Sequence, residues 1–251
     1  MRVLLLGGTT EGAALGRALV GDARFQATLS LAGATRAPRP QPLPTRIGGF
    51  GGVAGLVEYL QVKHIGAMVD ATHPFAAQMT RNAAEAAARC GIPLLRVDRP
   101  AWAPQPGDDW AEFPDMVALA AALGERPRRV LLTVGQKELA PFRAAPWHHY
   151  VIRSVDPPDP DALPPEAEVL MATGPFALEE ERALLRRHGI EVLVTKNSGG
   201  VAVAAKLAAA RERGIPVRLL ARPPAPEGLV RVPDVAGALR WLHGLLAERG
   251  V

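Results

Sequence analysis

The chain has 251 residues, enough for one large or two small domains at roughly 150 residues per domain. With 48% hydrophobic and 22% charged residues its composition is ordinary for a globular protein, and a single cysteine, Cys90, excludes an intramolecular disulfide. The net charge of +4 rests on scattered basic residues with only 5% aromatics, so a nucleic-acid partner is not expected. Arginine-rich codon usage gives the same balance without any function, and an anionic small molecule is the better functional reading. No apolar run approaches the roughly 18 residues of a membrane span, and the run from Met1 to Gly7 is too short for a signal peptide. The expectation is a soluble, cytoplasmic protein without a membrane partner; the oligomeric state is left open.

The first half alternates strand and helix patterns. Residues 3–6 form a short apolar run closed by glycine, as in a strand buried on both faces. A helix is predicted at 11–20, a strand at 27–31 and, after the proline-rich surface loop 38–44, a helix at 53–62. Strand 66–70, helix 75–90 and strand 93–97 follow. The prolines of 98–112 read as a linker. Beyond it come helix 114–124, strands 129–134 and 149–155, and a second proline-rich loop at 157–165. Strand 168–172, helix 175–188, strand 190–195, helix 200–213 and strand 216–220 resume the alternation. The last helix, 233–249, carries Val235, Leu239, Leu242 and Leu246 at helical spacing. Such alternation predicts mostly parallel sheets with helices on both faces, in two α/β halves of 1–100 and 101–251 that share a cleft.

The chemistry-bearing segments lie where strands end. Gly7-Gly8-Thr9-Thr10-Glu11-Gly12 follows the first strand and opens the first helix, a position where backbone N–H groups favour phosphate. A plain strand-to-helix turn would also need these glycines. After the second strand, Ser30-Leu31-Ala32-Gly33-Ala34-Thr35-Arg36 contains no acid to hold a ribose 2′-hydroxyl, so a dinucleotide bound here would be NADP rather than NAD. An ordinary polar loop remains the alternative. The glycine-rich loop 48–52 suits close approach to a ligand, a moving lid or a flexible connection. Asp70-Ala71-Thr72-His73 ends a strand, and Asp70 or His73 could transfer a proton, or Asp70 could cap the next helix. Arg96 and Arg99 follow another strand and suit carboxylates, with solvated surface as the alternative. In the second half, the segments around Lys137, Arg153, Thr173-Gly174 and Lys196 to Ser198 are further anion-binding candidates. There is no GxSxG nucleophile elbow, and His148-His149 lacks neighbouring ligands, so no metal is assigned.

Taken together, GGTTEG (7–12), DATHPFA (70–76) with Arg81-Asn82, VGQKEL (134–139), TGPF (173–176) and TKNSGG (195–200) resemble the precorrin-6A reductase family of cobalamin biosynthesis. The segments run in order from residue 3 to about 220. The resemblance implies two Rossmann-like domains with the active site between them, and NADPH as hydride donor. It also implies a polycarboxylate tetrapyrrole, precorrin-6A, reduced at one macrocyclic double bond to dihydroprecorrin-6 (precorrin-6B). Cofactor contacts would come from Gly8, Thr9, Thr10, Glu11, Ser30, Gly33, Arg36, Gly49, Thr72, Thr173, Gly174, Lys196 and Ser198. Substrate carboxylates would meet Arg96, Arg99 and Arg153, and Asp70, His73 and Lys137 are the candidate proton carriers. Two rivals stand beside this reading: an NADP-dependent reductase of another anionic substrate, and a nucleotide-sensing module without turnover.

Overall fold

A computed structural model of the chain describes residues 1–33, 40–248 and 250. It divides into two compact units, Met1–Pro100 with Pro223–Val251, and Ala101–Arg222. Each is a six-stranded sheet in which every pairing is parallel. Among the described residues no helix is long and apolar enough to cross a membrane.

The first unit contains β1 (Arg2–Leu6), α1 (Thr10–Val20), β2 (Gln26–Leu31), β3 (Thr45–Ile47), α2 (Gly52–Val62), β4 (Ala67–Asp70), α3 (Ala77–Cys90) and β5 (Leu94–Val97). The returning segment adds β12 (Val230–Val232) and α7 (Val235–Glu248). The strand order is β3-β2-β1-β4-β5-β12, the doubly wound order in which connections reverse direction between the first and fourth strands. Alternation along β1 divides the core. Val3 and Leu5 pack with Leu15 and Leu19 of α1 and Leu242 and Leu246 of α7, whereas Leu4 and Leu6 pack with Leu56 and Leu60 of α2 and Ala83 and Ala87 of α3. A strand with apolar residues toward both faces gives the continuous apolar run seen in the sequence.

The second unit runs β6 (Trp110–Phe113), α4 (Met116–Ala121), β7 (Arg129–Thr133), β8 (His149–Ser154), β9 (Ala167–Met171), α5 (Leu178–Arg187), β10 (Val192–Lys196), α6 (Ala205–Glu212) and β11 (Val217–Leu220). Its order, β9-β8-β7-β10-β11-β6, repeats the pattern of the first sheet, with the reversal between β7 and β10. Val130 and Leu132 face Leu119 of α4 and Phe142, while Leu131 faces Leu185 of α5 and Leu207 of α6.

Three expectations are corrected here. The boundary 101–251 fails at its far end. β12 pairs with β5 in register Val230↔Leu95, and α7 buries Ala238, Leu242 and Leu246 in the core of the first unit. The segment 98–112 is not wholly linker, because β6 begins at Trp110 and completes the second sheet's edge beside β11. The helix expected over 200–213 is a short 3-10 turn, Val201–Val203, followed by α6. Strands β3 and β12, three residues each, were not expected at all; three residues hold too little alternation to register as a strand.

The returning helix yields a direct test. Leu242→Ala removes a fully buried side chain and should cost about 2–5 kcal/mol. Hydrogen exchange should then show faster opening of β1 and β5 with β7 and β10 unchanged. Faster exchange in β7 and β10 would assign α7 to the other unit.

Candidate functional site

In an open parallel sheet, ligands bind beyond the carboxyl ends of the strands at the reversal point. In the first unit that point lies between the turn after β1 and the segment after β4. Thr9 caps α1: its hydroxyl accepts from the Gly12 amide at 3.0 Å and donates to the Ala71 carbonyl at 2.7 Å, tying the two segments together. Gly8 has φ +112°, outside the range of ordinary residues. A Cβ on Gly7 would fall 2.5 Å from the Leu29 side chain, and one on Gly12 would fall 3.2 Å from Gly7 Cα and 3.5 Å from the Ala71 carbonyl. The three glycines thus serve a tight turn, an open approach and close helix–strand packing, the arrangement that suits a pyrophosphate at a helix start.

Glu11 follows in the first helical turn. Its carboxylate receives the Thr10 hydroxyl at 3.0 Å and the Arg99 guanidinium at 2.5 Å. Partial burial raises this carboxyl, but a backbone N–H, the Arg99 charge and the Thr10 hydroxyl outweigh it and hold it below the usual range. Thr10, Glu11 and Arg99 therefore come together at the mouth of the glycine turn.

Asp70 ends β4 wholly buried. One carboxylate oxygen accepts from the Thr72 amide at 3.0 Å and the Thr72 hydroxyl at 2.7 Å; the other accepts from the Thr80 hydroxyl at 2.7 Å and Arg96 at 2.6 Å. Arg96, only 3% exposed, also donates to Thr80. This closed network fixes the β4 and β5 ends. It gives Asp70 and Arg96 structural work in place of the proton transfer and substrate pairing expected of them, because four donors occupy the carboxylate and burial withholds the guanidinium. His73 Nδ1 accepts from the Phe75 amide at 3.3 Å, which places the proton of a neutral ring on Nε2.

Beside β2, Ser30 and Gly33 lie at the carboxyl end as expected, and Arg36 falls outside the described residues. Arg46 of β3, which the sequence reading does not single out, donates to the Ser30 hydroxyl at 2.7 Å and to the carbonyls of Gly48 at 2.9 Å and Gly49 at 2.8 Å. Its guanidinium carbon lies 3.8 Å from the Phe50 ring centroid.

In the second unit, Gly135 opens the turn after β7. A Cβ there would lie 2.4 Å from the Glu138 carboxylate, whose other oxygen accepts from Lys196 at 2.5 Å. Lys137, between them, is exposed. Arg153 is buried and bound to Glu181 at 2.8 Å, with its guanidinium carbon 3.9 Å from the Phe176 ring, so it too is committed inward and is not poised for a substrate carboxylate. Thr173 is exposed, and Gly174 packs on Phe176 and Val203. Ser198 is buried beside Asn197, whose side chain holds both backbone groups of Trp102 and the Glu112 carboxylate. Lys206, another residue not singled out, donates to Thr133 at 2.9 Å from a buried position. Burial, reinforced by Arg153 and opposed by Glu181, pushes its ammonium down to about 7.

The Lys206 shift sets a pH dependence. Between about 7 and the ordinary 10.5 the unfolded chain holds a proton that the folded chain has released, so stability rises with pH across that window. Urea midpoints measured through it should climb for the parent protein and climb less for Lys206→Met. Parallel curves would place the titration elsewhere.

Residues 2–243 match the family model "Precorrin-6x reductase CbiJ/CobK". The chain is 52% identical to the precorrin-6A reductase of Sinorhizobium sp over 88% of its own length and 85% of the relative's. It is 47% identical to that of Rhodobacter capsulatus over 99% and 97%. The cobalt-precorrin-6A reductase of Priestia megaterium shares 30% identity over 70% of this chain and 72% of its own. A solved structure described as CobK precorrin-6A reductase superposes with a TM-score of 0.93 at 47% identity, covering 97% of this chain and 96% of that one. Two doubly wound sheets, a glycine turn at the first reversal point and likeness along nearly the whole chain lead to one conclusion: the chain belongs to the precorrin-6A reductase family.

Proposed function

We propose that the enzyme reduces one double bond of the precorrin-6A macrocycle with NADPH in cobalamin biosynthesis, giving dihydroprecorrin-6. The observation that carries the reading is the turn Gly7–Gly12 at the reversal point of the first sheet, where a Cβ on Gly7 would push aside the Leu29 side chain and one on Gly12 would crowd Gly7 and the Ala71 carbonyl. When bound, NADPH supplies a hydride. The chain's part is to hold and orient. Backbone N–H groups at the start of α1 would hold the pyrophosphate, with Gly8, Thr9, Thr10 and Glu11 around it. Ser30 and Gly33 lie where the adenosine ribose belongs in this fold. Thr72, fixed by Asp70, lines the edge next to the turn. The glycine loop with Gly49 completes the first unit's proposed cofactor contacts; Thr173, Gly174, Lys196 and Ser198 are proposed anion contacts of the second unit.

Reduction of a conjugated C=N or C=C bond places hydride on one carbon and requires a proton at the other end. His73 and Lys137 are the proposed carriers, since Asp70 is fully occupied by donors. Lys137 and Lys196 extend cations toward a substrate rich in carboxylates, and Arg99 contributes at the glycine turn. The relatives named for precorrin-6A share more of this sequence than that of Priestia megaterium, named for cobalt-precorrin-6A, which favours the metal-free substrate. One cysteine and a need for reduced nicotinamide fit a cytoplasmic enzyme.

Isotope labelling tests the reaction. NADPH deuterated at the transferred position should leave one deuterium on a macrocycle carbon, and heavy water should label the second position. A reduced product without cofactor deuterium would refute direct transfer. Binding of NADPH with no oxidation by any precorrin would support the sensing module instead. Separately, Lys137→Ala should raise the substrate's KM about tenfold, the loss of one charged contact. An unchanged KM would remove Lys137 from the substrate site.

A further inference from the structure

Arg46 has an unusual set of partners. It sits on β3 opposite Ser30 of β2, in register at the carboxyl end of the sheet. Three N–H groups are used: two on Nη1, toward the Ser30 hydroxyl and the Gly48 carbonyl, and one on Nη2, toward the Gly49 carbonyl. All three acceptors are uncharged. Among the described residues no carboxylate lies within ion-pair distance of Arg46, and no acid occurs in sequence between residues 23 and 57. By contrast, Arg96, Arg99 and Arg153 each hold a carboxylate. A guanidinium has five N–H donors, so among the described residues Nε–H and one N–H of Nη2 are left without a hydrogen-bond partner, and a guanidinium's planar fork suits the oxygens of an anion.

The surroundings fix where that edge can serve. The Gly7 amide donates to the Ser30 carbonyl at 2.9 Å, so the ribose end of a dinucleotide lying over the glycine turn reaches Ser30. Phe50 stacks on the guanidinium, and the Gly48 and Gly49 carbonyls hold it, so its orientation is set before any ligand arrives. We propose that Arg46, held by Ser30 and the 48–50 loop, reads the ribose 2′-phosphate and is the residue by which this enzyme distinguishes NADPH from NADH. The inference rests on the NADPH reading above and assigns its selectivity to a residue of β3 held by Ser30 of β2.

The test compares both cofactors on three proteins by equilibrium titration of nucleotide fluorescence. The two nucleotides differ only in the 2′-phosphate, so damage to the loop or to folding weakens both alike, whereas loss of the phosphate contact weakens one. For Arg46→Gln, NADPH affinity should fall about 10- to 100-fold while NADH affinity changes less than about threefold. Arg46→Lys, which keeps a charge but not the planar fork, should retain part of the preference. Equal losses for the two nucleotides would reduce Arg46 to a loop anchor and overturn the inference. So would an undiminished NADPH preference in Arg46→Gln, in which case the NADPH reading stands and another residue carries it. A parent protein that binds both nucleotides equally, or neither, fails the NADPH reading itself and takes the inference down with it.

Discussion

A parallel sheet sends the carboxyl end of every strand to the same edge, and it is stable only when helices cover both faces. That constraint organises this protein. Because β1, β4, β7 and β10 are apolar toward both faces, polar groups are pushed to the strand ends, where Ser30, Asp70, Arg96, Thr133 and Arg153 are found. The glycine turn, the DATHPFA segment and the VGQKEL and TKNSGG turns all follow strands, so each unit gathers its reactive groups along one edge. The reversal of winding then leaves a gap between neighbouring loops in each sheet, and a ligand can enter there without disrupting a crossover.

Charge buried at such an edge must be answered locally. The first unit does so with Asp70 and Arg96, paired directly and bridged by Thr80, while Thr72 donates to the other Asp70 oxygen. The second does so with Arg153 and Glu181, near a lysine whose ammonium is pushed down toward neutrality. Removing one member of such a pair typically costs more than the pair itself contributes, because the survivor is left without solvent or counter-ion. These groups act as braces for the loops that carry the chemistry. Glu11–Arg99 and Lys196–Glu138 are less buried, and these ion pairs stand closer to the ligand edge.

Much of this was legible in the sequence, for a physical reason. Strands buried on both faces write continuous apolar runs, and helices between them write a period of 3.6, so β1, β4, β7, α3 and α7 could be read with their neighbours unseen. The edge strands β3 and β12 could not, since three residues with one bonded neighbour leave no periodic signal. The domain boundary failed with β12, because the stripe on α7 shows that the helix packs but not against which sheet. Roles were harder than positions. Arg96 and Arg153 do stand at strand ends, yet their partners Asp70 and Glu181 are 26 and 28 residues away, a distance that only the folded chain closes. Arg46 was hidden for the same reason: it lies in β3, between a proline-rich and a glycine-rich stretch, and acquires meaning only from its place beside Ser30.

The first unit is assembled from both ends of the chain, residues 1–100 and 223–251, and this reverses the usual order of events on the ribosome. Domains ordinarily fold amino-terminal first as they emerge. Here the later unit, being continuous, is complete while the earlier one still lacks an edge strand and the helix that seals one face of its core. At ~5–20 residues per second the nascent first half waits on the order of ten seconds for β12 and α7, with Val3, Leu5 and Leu15 without the cover of α7 in the meantime. Chaperone binding during synthesis should therefore concentrate on the amino-terminal half, whose core is sealed only after α7 has left the ribosome.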